Sequence, residues 1–443
     1  MIENVKQLIW GTPLLFLLIA TGVFLSIRLR FVQLRYFGAA HRLLFIKSDE
    51  KEKGDISNFQ ALMTALSGSI GIGSITGVAT AISIGGLGAL VWMWGAALFG
   101  MATKYTECVL AIRYRTQDTN KEMCGGPMFY LQKALKNRFL AISFASLAMI
   151  TAIGTGNMVQ ANSVADALSG LIGMPPMLSG SILMLLVGLV LFGGIKSISR
   201  IASILVPIMG IFYIAAGIVI IGLFWGEIPG AFRLIFKSAF SGQAAVGGFA
   251  GSTIMLALQM GVARGVFSSE AGLGISSIAA AAAKTKTPSH QALIAMIGVF
   301  FTTGIVCTIT GLAIALTGVL GTVSGGSQLA LAAFDAALPH GAFIVTIALI
   351  PFAYSTMLGW AYYGEKCTEY LLGLRSIKLY RSLYTLLIIP GAMLSLDAVW
   401  GVADICNGLM AIPNLIGLVC LSGVAAKELR AFSAQVGRSR GEL

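Results

Sequence analysis

The sequence predicts an all-α integral membrane protein with about eleven transmembrane helices. Of its 443 residues, 57% are hydrophobic and only 11% are charged, and the mean hydropathy is +0.87. Soluble domains are usually about 45–50% apolar and about 25% charged. Apolar stretches of about 20 residues, the length that crosses a bilayer, recur along the chain. A formal net charge of +12 therefore indicates loop topology rather than nucleic-acid binding.

Eleven predicted spans cover most of the chain. They lie roughly at 11–29, 59–84, 85–112, 140–165, 177–195, 199–225, 243–275, 289–317, 341–364, 379–399 and 405–426. One lysine precedes the first span and a basic cluster follows it, the reverse of a cleavable signal peptide, so we expect this span to be retained. The stretch 243–275 is too long for one straight helix, which indicates an interruption.

The lysines and arginines orient these spans. With the N-terminus outside, 25 of the 30 basic residues fall on cytoplasmic segments and three on external segments. The positive-inside rule thus predicts a multi-pass protein of a bacterial-type plasma (inner) membrane, with its N-terminus outside and its C-terminus in the cytoplasm. Spans 2–6 then start inside and spans 7–11 start outside. Because five is odd, two successive five-helix units have opposite orientations, as in inverted-repeat transporters.

This topology predicts five regions. They are an extra N-terminal transmembrane helix (1–30), a cytoplasmic linker (31–58), two five-helix repeats (59–225 and 226–426) and a cytoplasmic tail (427–443). The two halves share no obvious residue identity. The predicted repeat therefore rests on topology and on the glycine clusters described next.

Glycine clusters interrupt the first span of each unit. The first cluster runs from Gly68 to Ser74, and the second comprises Gly247-Gly248 and the stretch from Gly261 to Gly265. Each glycine weakens a helix by about 1 kcal/mol relative to alanine. In hydrocarbon, a helix break is tolerated only where it lines a cavity within the protein. Two matching breaks predict the substrate site of a secondary transporter.

Other function classes have little support in the sequence. An enzyme needs a catalytic constellation, and no cluster of His, Asp, Glu or Cys provides one. A channel normally shows a repeated filter or a ring of pore-lining charge, and neither is visible. A sensor would usually need a soluble output domain, which the short tail does not supply.

Six blocks of sequence resemble the alanine/glycine:cation (sodium) symporter family. In chain order they are Phe59–Leu62, Gly85–Trp94, Gly125–Met128, Gly156–Gln160, Ala263–Gly272 and Gly359–Glu365. The resemblance implies a core similar to that of the neurotransmitter:sodium symporters, with one added helix at the N-terminus. It also implies sodium-coupled uptake of small neutral amino acids such as alanine and glycine, with sodium as the coupling ion and no other cofactor.

The chain departs from the family pattern at four positions near the expected site. Ile72 and Ser74 stand where the family usually has Thr and Asn, Ser269 stands where Asn is common, and Leu87 replaces a usual proline. The changes at 72 and 74 leave the carried amino acid and any second ion site open. The alternative is therefore a proton-coupled or exchange-type amino-acid transporter of the same fold with altered substrate.

The substrate site is predicted at the helix breaks. A zwitterion in low dielectric needs partners for both charges, and the N-terminus of a half-helix offers free N–H groups to a carboxylate. We therefore assign the backbone amides of Ile72 and Gly73 to the carboxylate. The other predicted substrate-binding residues are Ser69, Asn157, Gln160, Met260, Gly261, Gly265 and Trp360. For Asn157 and Gln160 the alternative is hydrogen bonding to neighbouring helices, and for Trp360 it is ordinary packing.

A sodium site is predicted by resemblance to the wider superfamily. It would use the hydroxyls of Ser355 and Thr356 and the carbonyls of Ser67 and Ile70. The alternative is that the hydroxyls bond to their own helix.

Two pairs of intramembrane charges complete the prediction. Arg264 and Glu270 are expected near the cytoplasmic side, as a gate or a structural pair. Lys104 and Glu107, one turn apart, are expected to be a structural pair or to include a snorkelling lysine.

Overall fold

The structure, a computed structural model, describes residues 9–46, 52–241, 254–323, 326–394 and 396–441 and is almost entirely helical. In chain order the α-helices are α1 Thr12–Arg28, α2 Val32–Arg35, α3 Phe37–Leu44, α4 Asn58–Ser69, α5 Thr76–Gly85, α6 Ala89–Arg113, α7 Pro127–Lys133, α8 Arg138–Ile153, α9 Val159–Ile172, α10 Pro176–Leu191, α11 Gly194–Leu223, α12 Ile228–Phe240, α13 Ile254–Ser269, α14 Ser277–Ala281, α15 Pro288–Val299, α16 Thr308–Thr317, α17 Gly326–Ala337, α18 Gly341–Leu372, α19 Ile377–Leu386, α20 Ile388–Met393 and α21 Leu396–Gly441. The 3-10 turns are Ile72–Ser74, Trp225–Glu227 and Leu374–Ser376, and the π-helical segments are Gly154–Met158 and Phe300–Cys307. The strands β1 Thr116–Gln117 and β2 Met123–Cys124 pair antiparallel.

The membrane class is supported by helix length and composition. Within the described ranges, five helices are long and apolar enough to cross a membrane, or six if the bent pair Asn58–Ser69 and Ile72–Gly85 counts as one span. Each of the eleven predicted spans overlaps a helix, but several of these helices, such as α1 and α10, are shorter than a full crossing. The count of eleven crossings and the five-plus-five repeat stay predictions.

The first helix break lies where the glycine cluster predicts it. Helix α4 begins with a capping box in which the Ser57 hydroxyl accepts the Gln60 N–H (3.1 Å) and the Gln60 side chain accepts the Ser57 N–H (3.0 Å). It ends at Ser69, and the chain turns by 63° before continuing into α5. The break is wholly buried, as a break in an apolar span must be.

The second break is not at Gly261–Gly265, and that prediction is wrong. Helix α13 is continuous through both glycines, because they serve helix packing. A Cβ at Gly261 would lie 2.4 Å from the main-chain oxygen of Ala89, and one at Gly265 would lie 3.3 Å from the Cα of Met93. Small residues four apart let α13 approach α6 closely. Gly247-Gly248 lie outside the described residues.

Helix α13 instead unwinds immediately after Ser269. Glu270, Gly272 and Gly274 have φ angles of 55°, 96° and 77°, all in the left-handed region that ends a right-handed helix. Helical structure resumes in α14. The second interruption therefore covers residues 270–276.

Two predicted extramembrane regions contain regular structure. The linker 31–58 includes the short helices α2 and α3, and the tail continues helix α21 as far as Gly441. Helices α12 and α17 were not among the predicted spans, and they lie before α13 and between α16 and α18.

Candidate functional site

The two breaks lie against each other in the centre of the helix bundle. A Cβ on Gly73 would be 2.8 Å from the ring of Phe267, and the hydroxyl oxygens of Ser74 and Ser268 are 3.1 Å apart. A Cβ on Gly68 would be 3.1 Å from Oε1 of Glu270. The end of α13 thus runs alongside the first break.

At the first break, donors from α18 satisfy main-chain carbonyls of α4. Thr356 Oγ1 donates to the carbonyl of Ser67 (3.0 Å), and Trp360 Nε1 donates to that of Gly68 (3.1 Å). One turn earlier in α4, the Tyr363 hydroxyl donates to the carbonyl of Thr64 (3.3 Å). The donors occur at positions i, i+4 and i+7, which share one helix face. The C-terminal end of α4 carries partial negative charge and lacks intrahelical donors for its last carbonyls.

The structure brings together half of the predicted sodium site. Thr356 contacts Ser67, and this approach needs a glycine next to it, because a Cβ at Gly71 would lie 2.3 Å from Thr356 Oγ1. Ser355 points elsewhere: its hydroxyl donates to the Phe352 carbonyl (3.0 Å) and lies 3.6 Å from the sulfur of Met209 in α11. Ile70 is buried at the break, directly after α4.

At the second break, a carboxylate satisfies main-chain amides. Glu107 Oε1 accepts the N–H groups of Gly272 (2.9 Å) and Gly274 (3.0 Å), and the side-chain amide of Asn414 (2.8 Å). The same Asn414 nitrogen also donates to the Gly272 carbonyl (2.8 Å). Glu107 on α6 and Asn414 on α21 therefore replace the helical hydrogen bonds that the unwound chain has lost.

Lys104 and Glu107 hold the second break rather than each other. The Lys104 ammonium donates to the hydroxyl of Ser276, at the end of the break. Within the described ranges no salt bridge joins Lys104 to Glu107, although the two charges are near enough to attract each other. Lys104 is buried, so the predicted snorkelling is wrong. A buried ammonium cannot reach the interface because its stem packs inside the bundle.

Gln160 faces the first break, whereas the amide nitrogen of Asn157 bonds to a different helix. Gln160 Oε1 would be 3.3 Å from a Cβ at Gly71 and accepts no hydrogen bond from the described residues. The Asn157 side-chain nitrogen donates to the main-chain oxygen of Tyr384, so it joins two helices. Asn157 belongs to the π-helical segment Gly154–Met158, whereas Gln160 belongs to α9, and its nitrogen donates to the Thr155 carbonyl (3.1 Å).

Trp360 packs across the first break. It is buried, its indole N–H bonds to Gly68, and a Cβ at Gly156 would lie 2.1 Å from its own Cβ. It therefore links α4 to the π-helical segment after α8.

The other four predicted substrate-binding residues contact their own helix or a neighbouring helix. They are Ser69, Met260, Gly261 and Gly265. The Ser69 hydroxyl bonds back to the Ala65 carbonyl (3.1 Å). Met260 packs by its Cβ near Gly85, 3.2 Å from where a Cβ of that glycine would be. Gly261 and Gly265 pack on α6, as described above. Both belong to an intact helix, so their carbonyls are not freed by a break there, and their assignment to the pocket lining stays a prediction.

Arg264 pairs with Asp404 and not with Glu270. Its two terminal nitrogens donate to the two carboxylate oxygens at 3.1 and 3.0 Å, and both side chains are buried. The Trp10 indole donates to the Asp404 carbonyl (2.6 Å), and Gln259 donates to the Trp10 carbonyl (3.0 Å). The pair thus lies on the same side of the bundle as the start of α1, which under the predicted topology is outside rather than cytoplasmic.

Sequence reasoning missed the polar face of α21. Asp404, Asn407 and Asn414 project to one side of an otherwise apolar helix, and each contacts a different irregular element or ion pair. Asn407 donates to the Thr155 hydroxyl (2.8 Å) in the first π-helical segment. Polar residues on one face of an apolar span were the signal that could have found them.

A cluster of acidic and cysteine side chains near the C-terminal end of α18 surrounds the Lys366 ammonium. Asp118, Cys124 and Glu369 have the spacing of a metal site, but the Lys366 ammonium lies 4.0, 3.6 and 2.9 Å from them. This arrangement suits an ion pair rather than a metal ion. Nearby, burial raises the pKa of the Asp55 carboxyl, which accepts the Met123 N–H (2.8 Å).

Comparison with known proteins gives one consistent result. A profile described as the sodium:alanine symporter family matches residues 1–442. The sodium/alanine symporter AgcS of Methanococcus maripaludis is 51% identical over 442 residues, which cover 98% of this chain and 97% of that protein. An uncharacterized transporter of Haemophilus influenzae is 48% identical over 435 residues, covering 97% and 95%. The solved structure of MhsT with L-phenylalanine shares the fold, with a TM-score of 0.60 at 15% identity over 86% of this chain and 99% of that one.

Proposed function

The chain belongs to the sodium:alanine symporter family, and we propose that it couples sodium entry to the uptake of small neutral amino acids, alanine and glycine, by alternating access. As a member of a transporter family it is a multi-pass membrane protein. We also propose the outward N-terminus, the cytoplasmic C-terminus and the five-plus-five inverted repeat.

The contact between Thr356 and Ser67 carries this proposal. A hydroxyl and a main-chain carbonyl meet inside a helix break, 3.0 Å apart and fully buried. Unwound carbonyls and the C-terminal ends of half-helices coordinate sodium in transporters of this type. When sodium binds, the Thr356 hydroxyl can rotate and turn an oxygen lone pair to the ion. Ile70 and Ser355 would complete the shell after a rearrangement of the Ser355 side chain.

The amino acid would occupy the space beside the 3-10 turn that follows the break. The amides of Ile72 and Gly73 stand at the start of this turn, where N–H groups suit a carboxylate. Phe267 packs on Gly73, and the free oxygen of Gln160 faces Gly71. A small side chain fits best here, since Ile72 is fully buried and crowds the site.

Sodium coupling would provide the energy for accumulation. Moving one positive charge across 100 mV supplies about 2.3 kcal/mol, which corresponds to a roughly fifty-fold concentration ratio. The direction of uptake follows from the inward sodium gradient and the membrane potential.

Proton coupling is a second candidate, and Glu270 is the observation that favours it. This carboxylate is fully buried at the second break, where neither oxygen makes a hydrogen bond of good geometry and the Ser276 hydroxyl and the Trp360 indole are the polar groups close to it. Lys104 and Glu107 are the charged groups that act on it from α6, and the Tyr363 ring faces it from α18. A buried carboxylate whose hydrogen bonds are poor is costly unless it takes up a cation or a proton.

Uptake of labelled alanine and glycine into proteoliposomes tests the proposal. We expect accumulation with an inward sodium gradient and none with a proton gradient alone. Thr356→Val should raise the sodium concentration for half-maximal uptake by at least about tenfold, the effect of losing one charge-assisted contact. Thr368→Val is the matched control, because the buried Thr368 hydroxyl bonds only its own helix, at Gly364.

Two outcomes would contradict sodium symport. Accumulation driven by protons alone would select the Glu270 alternative. Equal sodium dependence in Thr356→Val, Thr368→Val and the unmodified protein would show that sodium does not bind at the first break.

A further inference from the structure

A basic pocket joins the two ends of the chain. It lies between the end of α1, the helix α2 and the last part of α21, and its volume is about 190 Å³. Four of its lining residues are arginines: Arg28, Arg30, Arg35 and Arg430. The hydroxyls of Tyr36 and Ser433, which bond to each other, also line it. No acidic residue is part of the lining.

These four arginines carry charge that the described protein does not neutralise. None of them forms a salt bridge in the parts of the chain that the structure describes, whereas Arg113 nearby pairs with Glu428 at 3.5 Å. Four like charges around one small pocket repel one another. An anion with several oxygens would relieve this repulsion, and guanidinium groups bind phosphate in a bidentate manner.

An unusual turn places the arginines together. Arg30 and Phe31 are consecutive non-glycine residues with φ angles of 54° and 53°. The Phe31 N–H bonds to the Ser26 carbonyl (2.6 Å), and Gln33 donates to the Ser26 hydroxyl (2.9 Å). The chain therefore reverses sharply at the end of α1. Residues held in left-handed backbone outside glycine often mark functional positions.

Apolar side chains beside the pocket place it at the membrane surface. Ile27, Phe31 and Leu34 are 62%, 43% and 63% exposed, and they alternate along the chain with Arg28, Arg30 and Arg35. Exposed apolar residues interleaved with arginine are typical of segments that lie at the level of lipid headgroups. Basic pockets between helices at this level suit anionic headgroups.

We propose that this pocket binds the phosphate-bearing headgroup of an anionic lipid. The phosphate would lie among the four guanidinium groups, and the acyl chains would run past Ile27 and Phe31. Bound there, the lipid would connect α1 and α2 to α21, the helix that holds the second break through Asn414. This inference is independent of the transported substrate.

Lipid binding to the purified full-length protein tests the inference. Native mass spectrometry with added phosphatidylglycerol or phosphatidylcholine measures which lipid is retained. We expect the unmodified protein to prefer phosphatidylglycerol by at least about tenfold, in line with several basic residues acting at a membrane surface. Arg28→Gln/Arg30→Gln/Arg35→Gln should lose this preference.

A charge-matched control separates the pocket from general electrostatics. Arg138→Gln/Lys196→Gln/Arg200→Gln removes three exposed basic residues predicted on the same side of the membrane but outside the pocket. It should keep the preference within about twofold. An equal loss in both triple variants would overturn the proposal.

Two further experiments address a folding defect of the triple variant and the possibility that the ligand is a soluble anion. If the triple variant does not fold, the single variant Arg30→Gln should still reduce the preference by about threefold, and an unchanged preference would overturn the proposal. Inorganic phosphate should not displace phosphatidylglycerol. Displacement by phosphate, together with no preference between the two lipids, would identify a soluble anion as the ligand and contradict the lipid assignment.

Discussion

The two helix breaks are stabilised by groups of opposite chemistry. At the first, the carbonyls of Ser67 and Gly68 receive neutral donors from Thr356 and Trp360. At the second, the amides of Gly272 and Gly274 donate to a buried carboxylate, Glu107. A neutral hydroxyl can be exchanged for a cation at little cost, whereas a charge-assisted bond is about twice as strong as a neutral one. The difference is in keeping with our proposal that the first break exchanges its donor for an ion, whereas the second keeps a fixed shape.

The two breaks also differ in which neighbouring helices hold them. At the first break, α18 caps the carbonyls of Ser67 and Gly68 with neutral donors, and the Thr310 hydroxyl of α16 donates to the Ser74 carbonyl (2.9 Å). The second is held from α6 by Glu107 and Lys104 and from α21 by Asn414. We therefore expect perturbations of the first break to change ion dependence, and perturbations of the second to change stability.

Removal of the Glu107 carboxylate should give the largest loss of stability. Glu107→Ala leaves two buried amides and the Asn414 side chain without their acceptor, and we expect a cost of about 3 kcal/mol or more. Thermal unfolding of the purified protein measures it. Glu107→Gln retains one acceptor oxygen and should recover part of the loss. If Glu107→Ala unfolds at an unchanged temperature, the second break is not fixed by this carboxylate.

A methyl group at Gly71 should damage the first break next most strongly. In Gly71→Ala the new Cβ would lie 2.3 Å from Thr356 Oγ1, which forces Thr356 away from Ser67. We expect overpacking of about 1–3 kcal/mol and a loss of sodium-dependent uptake. Gly77→Ala in α5 is the control, because a Cβ there meets no atom within 4 Å. Normal sodium dependence in Gly71→Ala would argue against a cation at this break.

Substitutions at the two glycines of α13 test where the second break lies. Gly261→Ala would press on the Ala89 carbonyl and should destabilise the protein by about 1–3 kcal/mol, with a smaller effect for Gly265→Ala. Neither should change the Michaelis constant for alanine, because neither glycine lies at the break. A changed Michaelis constant for alanine with unchanged stability would indicate that these glycines line the substrate pocket.

The pair Gln160→Ala and Asn157→Ala should give the smallest and most specific effects. We expect Gln160→Ala to raise the Michaelis constant for alanine several-fold, because its free oxygen faces the first break. Asn157→Ala should cost about 1 kcal/mol of stability by removing the bond to Tyr384. Uptake kinetics and thermal unfolding of both variants separate the two roles. The opposite pattern would place Asn157 at the substrate.

The sequence was sufficient to locate the first break but not the second. Gly68, Gly71 and Gly73 lie close together in one apolar span, and this density of glycine marked the interruption. At the second, Gly261 and Gly265 imitate a break because glycines four apart also serve close helix packing. The true break combines Gly272 and Gly274 with Glu107, which is 165 residues away from Gly272 along the chain.

Long-range pairing limited the prediction of the charged residues in the same way. Arg264 and Glu270 seemed partners because they are near in sequence, yet Arg264 pairs with Asp404, 140 residues away. Thr356 and Ser67, separated by 289 residues, were brought together only by resemblance to a known superfamily. A single sequence gives the faces and lengths of helices, but it does not specify which faces meet.

Sodium binding to the purified protein tests the contrast between the breaks most directly. The rise in unfolding temperature with sodium concentration gives an apparent affinity for the unmodified protein, Thr356→Val and Glu107→Gln. We expect Thr356→Val to weaken sodium affinity at least about tenfold and, because it leaves the Ser67 carbonyl without its donor, to lower the unfolding temperature without sodium less than Glu107→Gln does. Glu107→Gln should lower that temperature and leave the affinity unchanged. Weakened affinity in Glu107→Gln and normal affinity in Thr356→Val would contradict the account.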